Sequence, residues 1–269
     1  MPIWADPARG EQVRLLADDD LSLLAMFVSP PSARPTAADL RAVPGTDLKR
    51  FAAVAVRDLP GVRVTTRPDE AAALLAAGAT LDHTLIHMTL TGLQAEPPPL
   101  SWAAPQLAAG LEMIGVEAAD ADDLAAAQRE AYGPGHPDHE GTIQAQESGV
   151  LSALLAGQAF GPLYVDAGAV VVDEAGRIVA GLVTTRWEGI GEEWRGGPWV
   201  VEVFKVPGAP PRLGRSLLER AVAVCALDGH ECVGLSVNGV NPARRLYQEM
   251  GFRHAFSRVS LDLPGRWPD

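Results

Sequence analysis

The sequence predicts a mixed α/β fold for residues 111–269, preceded by a smaller α/β domain over residues 1–93. In the second part, β-branched-rich runs typical of strands alternate with apolar residues at helical spacing. Between the two parts, residues 94–110 include QAEPPPLSWAAP, whose prolines disfavour a regular helix or a central strand. We therefore expect an inter-domain linker at residues 94–110.

Length and composition indicate a soluble globular protein. The chain has 269 residues, 47% of them hydrophobic, and no apolar run approaches the roughly 18 residues that span a bilayer. The first residues do not form a secretory signal, so we expect a cytoplasmic location. A net charge of −12 argues against nucleic acid or an anionic membrane as partner, and favours a neutral or cationic small substrate.

Several local signals place the elements of the C-terminal part. Asp120, Asp122 and Asp123 suit the start of a helix, where the helix dipole favours acidic residues. Residues 133–141 have the Gly/Pro content of a loop, and residues 173–176 form a hairpin signal. The predicted order is strand 114–117, helix 118–131, helix 142–155, strand 169–172, strand 178–185, strand 199–206, helix 212–226, strand 232–237, helix 242–250 and strand 256–263.

The N-terminal part contains a weak internal repeat of the last strand–helix–strand segment. An offset of 173 residues places Gly78 on Gly251 and superposes five apolar strand positions without a gap. Chance is an alternative, because alternating apolar residues are common in strands. We prefer a shared strand–helix–strand unit, in which Leu74 takes the place of Tyr247. The N-terminal copy would then be a structural partner.

The most specific stretch is NPARRLYQEMGF at residues 241–252. It resembles the closing motif of the GNAT N-acetyltransferase superfamily, carried here by Asn241, Ala243, Leu246, Tyr247, Gly251 and Phe252. An ordinary amphipathic helix that ends at a glycine is the alternative. The predicted element order also matches the GNAT fold across about 150 residues. The N-terminal part would be a degenerate, partial GNAT-like repeat of the same half-fold.

The resemblance implies an acetyl-coenzyme A cosubstrate and a slot between two strands that separate. Residues Phe204, Lys205 and Val206 would offer backbone groups to the pantetheine arm. Tyr247 would donate a proton to the departing thiolate, since a phenol stays protonated at neutral pH. Glu202 would take the proton of the amine. A half-buried structural tyrosine and a glutamate paired with an arginine are the respective alternatives.

The phosphate-binding loop departs from the family pattern. In VPGAPPRLGRS, Ala209 and Arg212 replace the expected glutamine or arginine and the first glycine, while Pro210 and Pro211 lack amide donors. The helix that follows still begins with free N–H groups, so we expect weakened or rearranged binding. The predicted cofactor-binding residues are Phe204, Lys205, Val206, Arg212, Leu213, Gly214, Arg215, Ser216, Asn241 and Arg244.

Two function classes follow. The first is an enzyme that passes an acetyl or short acyl group directly from acetyl-coenzyme A to an amine of a small molecule or peptide. The second is an inactive GNAT-like module that senses a ligand or docks a partner. No metal is expected, because the potential ligands of the loop at residues 136–140 are too crowded for a structural zinc site. That loop and the hairpin tip with Trp187, Glu188, Glu192, Glu193 and Trp194 are candidate acceptor surfaces.

Overall fold

The computed structural model describes residues 4–6, 10–28, 36–138, 151–187, 194 and 196–266. These residues form two compact units, each mixed α/β as the sequence predicts. The first unit comprises the described residues up to Ile86 together with those from Ser257 onward, and the second runs from His87 to Phe256. No helix within these ranges is long and apolar enough to cross a bilayer.

The chain enters and leaves the second unit within a strand. The first half of the chain forms β1 (Trp4–Asp6), β2 (Gly10–Ala17), β3 (Leu23–Val28), β4 (Thr36–Ala42), α1 (Leu48–Asp58), β5 (Arg63–Thr66), α2 (Pro68–Ala76) and β6 (Thr80–Thr91). Its second half forms β7 (Leu111–Gly115), α3 (Ala121–Ala131), β8 (Ala169–Asp173), β9 (Ile178–Trp187), β10 (Gly197–Lys205), α4 (Leu213–Leu227), β11 (Cys232–Asn238), α5 (Ala243–Glu249) and β12 (Arg253–Asp262).

The sheet of the first unit has the strand order β1-β2-β3-β4-β5-β12. Strands β1 to β4 pair antiparallel in sequence order, α1 crosses over, and β5 then pairs parallel to β4. The second half of β12 pairs antiparallel with β5, and its Val259 and Leu261 pack in one hydrophobic core with Val64 and Leu74. The meander β1 to β4 and the helix α1 were not predicted from the sequence.

The sheet of the second unit repeats this arrangement with the order β7-β8-β9-β10-β11-β6. Strands β7 to β10 pair antiparallel, α4 crosses over, and β11 pairs parallel to β10. The sixth strand is the second half of β6. The elements of the second unit agree with the predicted order. A helical segment at residues 151–155 is the described part of the predicted helix 142–155. The rest of that predicted helix lies outside the described residues.

The bounds of the compact units differ from the predicted domains 1–93 and 111–269, and residues 94–110 are not a free linker. This segment packs along α4 in the second unit. The Gln94 side chain donates to the carbonyl oxygens of Ala226 at 2.7 Å and His230 at 3.0 Å, and a 3₁₀ turn at Leu100–Trp102 contacts the same helix. Proline content predicts irregular backbone, and irregular backbone can still pack tightly.

The predicted internal repeat is confirmed in the structure. The offset of 173 residues places the last residue of α2 on the last residue of α5, and the first residue of β6 on the first residue of β12. Gly78 and Gly251 end the two helices in the same left-handed conformation, at φ +99° and +98°. Glycine adopts this conformation without the steric cost that other residues bear.

A buried carboxylate closes the gap between the parallel strands of the first unit. Strands β4 and β5 pair as far as Leu40–Thr66, with a register shift between Ala37 and Leu40, and the Glu70 side chain bonds to the backbone beyond this pair. Its two oxygens accept from the Ala42 N–H at 2.8 Å, the Thr66 hydroxyl at 2.6 Å and the Arg67 N–H at 3.0 Å. Glu70 is only 5% exposed, so it satisfies these donors in place of water or a ligand.

Replacing Glu70 by alanine should therefore destabilise the protein by about 3 kcal/mol, because it leaves buried donors without a partner. Denaturant unfolding measures this loss. Asp69→Ala is the matched control, since Asp69 is an exposed neighbour in the same helical turn and its loss should cost at most about 0.5 kcal/mol. Equal midpoints for the two variants would contradict the role given to Glu70.

Candidate active site

The parallel pairing of β10 with β11 ends early. The two strands pair at Trp199–Gly234 and Val200–Leu235, and no later pair is found although β10 continues to Lys205 and β11 to Asn238. A bulge in β10 between Val200 and Glu202 interrupts its ladder with β9 at the same level. A bulge bends its strand and increases the local twist, so it accounts for the separation. This separation agrees with the slot implied by the resemblance.

Glu202 lies at the point where the strands separate, and helix α3 holds its carboxylate. Gln128 Nε2 donates to Glu202 Oε2 at 2.6 Å, and the Tyr132 hydroxyl donates to Glu202 Oε1 at 2.5 Å. Gln128 lies in the last turn of α3, and Tyr132 is the C-cap residue one turn later, so both approach Glu202 from the C-terminal end of this helix. Among the described residues, the side-chain partners of Glu202 are an amide and a phenol, and the alternative of an ion pair with an arginine finds no partner there.

Burial raises the pKa of the Glu202 carboxyl to about 7, and the nearby Asp138 carboxylate adds to this effect. The hydrogen bonds from Tyr132 and Gln128 act in the opposite direction, because they stabilise the ionised form. A carboxyl with this pKa is ionised above pH 7 and takes up a proton readily near neutrality. These are the properties of a general base.

Tyr247 faces the same region from α5. It is 5% exposed, and burial, followed by the Glu202 and Asp138 carboxylates, holds the pKa of its hydroxyl well above the ordinary value. The phenol therefore stays protonated at neutral pH and is a proton donor. The structure brings Glu202 and Tyr247 together, as the two predicted catalytic positions require.

Asn241 and Asp138 join the loop after α3 to the start of α5. The Asn241 side chain donates to Asp138 and accepts from the Ala243 N–H at 2.8 Å, while Asn238 donates to the carbonyl oxygen of Pro137 at 3.1 Å. These contacts carry the Asp138 carboxylate toward Glu202 and Tyr247. Asn241 therefore holds the loop after α3 in place, and its predicted contact with the cofactor stays a prediction.

The loop before α4 keeps a glycine-like backbone without the glycine. Arg212 adopts a left-handed conformation with φ +72° immediately before the helix begins at Leu213. The first intrahelical bond runs from the Ser216 N–H to the Arg212 carbonyl at 2.8 Å, so the preceding helical N–H groups point out of the helix end. A side chain at Gly214 would meet open space. The start of α4 thus keeps the features of an anion site.

The predicted backbone contacts at residues 204–206 need correction. The Val206 N–H donates to the Val179 carbonyl oxygen at 2.9 Å, so it faces β9 and is not available in the slot. Strand alternation directs the backbone N–H and C=O groups of Phe204 to β9 as well. It directs the same groups of Val203 and Lys205 toward β11. The Lys205 ammonium donates to the carbonyl oxygens of Val206 and Ala209, both at 3.2 Å, and so braces the loop.

Two of the arginines predicted to bind the cofactor are Arg215 and Arg244, and the structure shows the surroundings of both. Arg215 donates to Glu219 at 2.8 Å and lies 3.9 Å from Glu249, so carboxylates already compensate its charge. Its predicted role in holding a phosphate is therefore weakened. Arg244 lies in the first turn of α5, where its Nε is buried without a hydrogen-bond partner among the described residues.

A cleft of about 500 Å³ adjoins the start of α4. The segment at residues 94–110 forms one wall through Trp102 and its neighbours, and Pro211, Arg212 and Ser216 form part of the other. Among the described residues, no group of three or more His, Cys, Asp or Glu side chains is placed to hold a metal ion. The candidate acceptor residues Glu188, Glu192, Glu193, His139 and Glu140 lie outside the described residues.

Sequence reasoning missed Gln128 and Tyr132. The signal that could have found them is the series Leu124, Gln128, Tyr132, because residues four apart share a helix face and Leu124 is fully buried. A polar residue and a tyrosine that follow a buried leucine at this spacing indicate a helix face that is packed in the core at one end and lines a polar site at the other. That signal gives no partner, since the position of Glu202 relative to α3 depends on tertiary packing.

Arg212→Gly should stabilise the protein by about 1 kcal/mol, because a left-handed conformation costs a non-glycine residue roughly that much. Urea unfolding gives the change in free energy. Arg245→Gly is the control with opposite sign, since Arg245 is an exposed arginine within helix α5, where glycine costs about 1 kcal/mol. If both substitutions destabilise equally, the strain assigned to Arg212 is absent.

Known structures share this architecture. A GCN5-related N-acetyltransferase from Sphaerobacter thermophilus superposes with a TM-score of 0.64 at 17% identity, covering 96% of this chain and 82% of its own. A tandem GNAT protein from the clavulanic acid biosynthesis pathway gives 0.60 at 14% identity, covering 96% and 83%. A GCN5-related N-acetyltransferase from Kribbella flavida gives 0.53 at 18% identity, covering 90% and 87%.

No protein-family model matches the sequence, and the search of curated proteins gives no match either. The structural likeness covers nearly the whole chain, so it includes both units and not only the C-terminal part in which the motif lies. Identities of this size show the fold alone. The chain therefore has the fold of the GNAT superfamily, in a repeat-like arrangement of two units.

Proposed function

We propose that the second unit is an acyl-coenzyme A-dependent N-acetyltransferase. It transfers an acetyl or short acyl group directly from acetyl-coenzyme A to an amine of a small molecule or peptide. The observation that carries the proposal is the position of Glu202 where β10 and β11 separate, with Tyr247 near enough for the Glu202 charge to raise the pKa of its hydroxyl. A base with a pKa near 7 and a protonated phenol are the two proton-transfer groups that aminolysis of a thioester needs.

The reaction follows from the positions of these groups. Glu202 takes a proton from the protonated amine, and the neutral amine attacks the thioester carbonyl. The Lys205 N–H, which strand alternation directs toward β11, is the backbone donor placed to stabilise the developing oxyanion. As the adduct collapses, Tyr247 gives its proton to the departing thiolate of coenzyme A, and the second proton that the nitrogen loses on becoming an amide restores the Tyr247 phenol. No covalent enzyme intermediate is involved.

The start of α4 supports binding of the pyrophosphate. Its outward N–H groups and the open space at Gly214 fit an anion, and the adjoining cleft has room for part of a nucleotide. In the described part of the first unit, the Glu70 carboxylate occupies the end of the parallel strand pair, where the second unit has its slot. We therefore propose one acetyl-coenzyme A site in each chain.

An inactive sensing or docking module is the second candidate. Pro210 and Pro211 favour it, because they remove two amide donors from the loop that holds phosphate in GNAT enzymes. The two proposals differ in what happens after binding. An enzyme releases coenzyme A in the presence of an amine, whereas a module that only binds or docks does not.

Calorimetric titration with acetyl-coenzyme A should show binding at one site per chain. Gly214→Leu is the blocking variant, since leucine fills the open space at the helix start and suits a helix better than glycine. It should abolish the heat of binding while unfolding at the same or a higher denaturant concentration. Absence of binding to the unsubstituted protein at millimolar ligand would refute the transferase proposal.

Tyr247→Phe should lower kcat about 100-fold with little change in the KM for acetyl-coenzyme A, because it removes the acid and keeps the ring. The measurement is release of the coenzyme A thiol with a panel of primary amines. Tyr164→Phe is the control, since Tyr164 is a buried tyrosine bonded to Asp228 at another place in the unit. An unchanged kcat in Tyr247→Phe would remove Tyr247 from the mechanism.

A further inference from the structure

We propose that Tyr132 is a positioning residue whose single hydroxyl proton moves between Glu202 and the carbonyl oxygen of Val203. This exchange lets Glu202 accept and release the amine proton while its carboxyl group stays hydrogen-bonded to the Tyr132 phenol. The inference rests on the proposed function of Glu202 as the base. It adds a residue to the site that lies on α3, outside the strands and the helix that carry the two predicted catalytic groups.

The phenol of Tyr132 has two acceptors within reach and one proton to give. Its oxygen lies 2.5 Å from Glu202 Oε1 and 3.0 Å from the carbonyl oxygen of Val203. A phenolic hydroxyl is a single donor that can also accept. Only one of the two bonds can therefore use the Tyr132 proton at a given time.

In each charge state of Glu202, Oε1 and the Tyr132 hydroxyl remain hydrogen-bonded to each other. When Glu202 is ionised, Tyr132 donates to Oε1. When Glu202 has taken the proton of the amine, the carboxylic acid donates from Oε1 to the phenol oxygen, and Tyr132 turns its own proton to Val203. One O–H bond forms on Glu202 as one N–H bond of the amine breaks, and the phenol only rotates.

Gln128 decides which oxygen of Glu202 receives the proton. Its Nε2 donates to Oε2 at 2.6 Å, so Oε2 keeps an acceptor role in both states. The proton is therefore added to Oε1, which faces Tyr132. Gln128 fixes one end of the carboxylate while Tyr132 responds to the charge at the other.

Close packing of α3 on the sheet makes these short contacts possible. A Cβ atom at Gly181 would lie 2.8 Å from the ring of Phe204 and 3.3 Å from the side chain of Leu124. Glycine at this position lets Leu124 approach β9 and β10 closely. The next two residues on that helix face, Gln128 and Tyr132, are thereby brought within hydrogen-bond distance of Glu202.

The ionisable groups around Glu202 come from several elements. Tyr132 approaches from α3, Asp138 from the following loop and Tyr247 from α5. His136 stacks on the Tyr132 ring at 4.6 Å. On β10 itself, the Lys205 ammonium points to the Val206 and Ala209 carbonyl oxygens. Among these groups, Tyr132 is the one that donates a proton to the Glu202 carboxylate.

The test is a carboxyl ¹³C NMR titration of protein labelled at glutamate C5, with the Glu202 signal assigned by Glu202→Gln. In the unsubstituted protein, the Glu202 carboxyl signal should titrate with a midpoint near pH 7. Tyr132→Phe should raise the midpoint by about one pH unit, because the ionised carboxylate loses a donor that stabilises it. The acidic limb of the kcat/KM profile should move upward by the same amount. Tyr164→Phe should leave both unchanged.

A second measurement does not depend on the folding of Tyr132→Phe. Replacement of the three tyrosines of the chain by 3-fluorotyrosine keeps their shape and makes the phenol a stronger donor, so the Glu202 midpoint should fall. A midpoint that moves in neither experiment overturns the inference. If the midpoint moves as expected but no amine is acylated, the proposed function fails and the exchange at Tyr132 stands.

Discussion

The early end of the pairing between β10 and β11 is the constraint on which the proposed site depends. Backbone N–H and C=O groups inside a protein need partners, so a parallel pair that stops leaves groups that must be satisfied in another way. The two units solve this problem differently. Glu70 satisfies the strand end in the first unit, whereas Tyr132 reaches the Val203 carbonyl oxygen in the second and the Lys205 amide is left facing the gap. The same architecture thus gives a closed unit and an open one.

The charge of Glu202 results from opposing effects, of which burial is the largest. Burial favours the neutral acid, and the donors Gln128 and Tyr132 favour the carboxylate. A more exposed glutamate would be ionised and weakly basic, and a buried one without donors would remain protonated at neutral pH. The position on a bulged strand beneath one face of α3 gives the intermediate value.

Much of the fold could be predicted because its signals are local. The hairpin of β8 and β9, the helix α4 and the closing β11-α5-β12 unit were placed within a few residues, since strand alternation, turn residues and a terminal glycine act over short distances. The repeat was found for the same reason. The meander β1 to β4 was not, and neither was the transfer of the second half of β12 to the first unit, because strand partners depend on tertiary structure.

The candidate site was predictable where a motif carries it, at Tyr247, and where a charge lies in an apolar strand, at Glu202. Contacts that depend on direction were not. The Val206 amide faces the wrong strand, Asn241 holds a loop, and Arg215 is engaged by carboxylates. A sequence shows which groups are present, but the partner of each group is set by the packing of α3, the loop before α4 and the start of α5.

The route of the chain through its two units has a consequence for biosynthesis. The first unit takes its sixth strand from the residues that begin at Ser257, which are synthesised only after the whole second unit. Its core, which includes Leu261 and Leu263, therefore cannot be completed until the second unit has been synthesised. Until then the nascent first half has an unpaired strand at the edge of its sheet, and an unpaired edge strand is prone to aggregation. Fragments that end after residue 93 would be held in that state permanently.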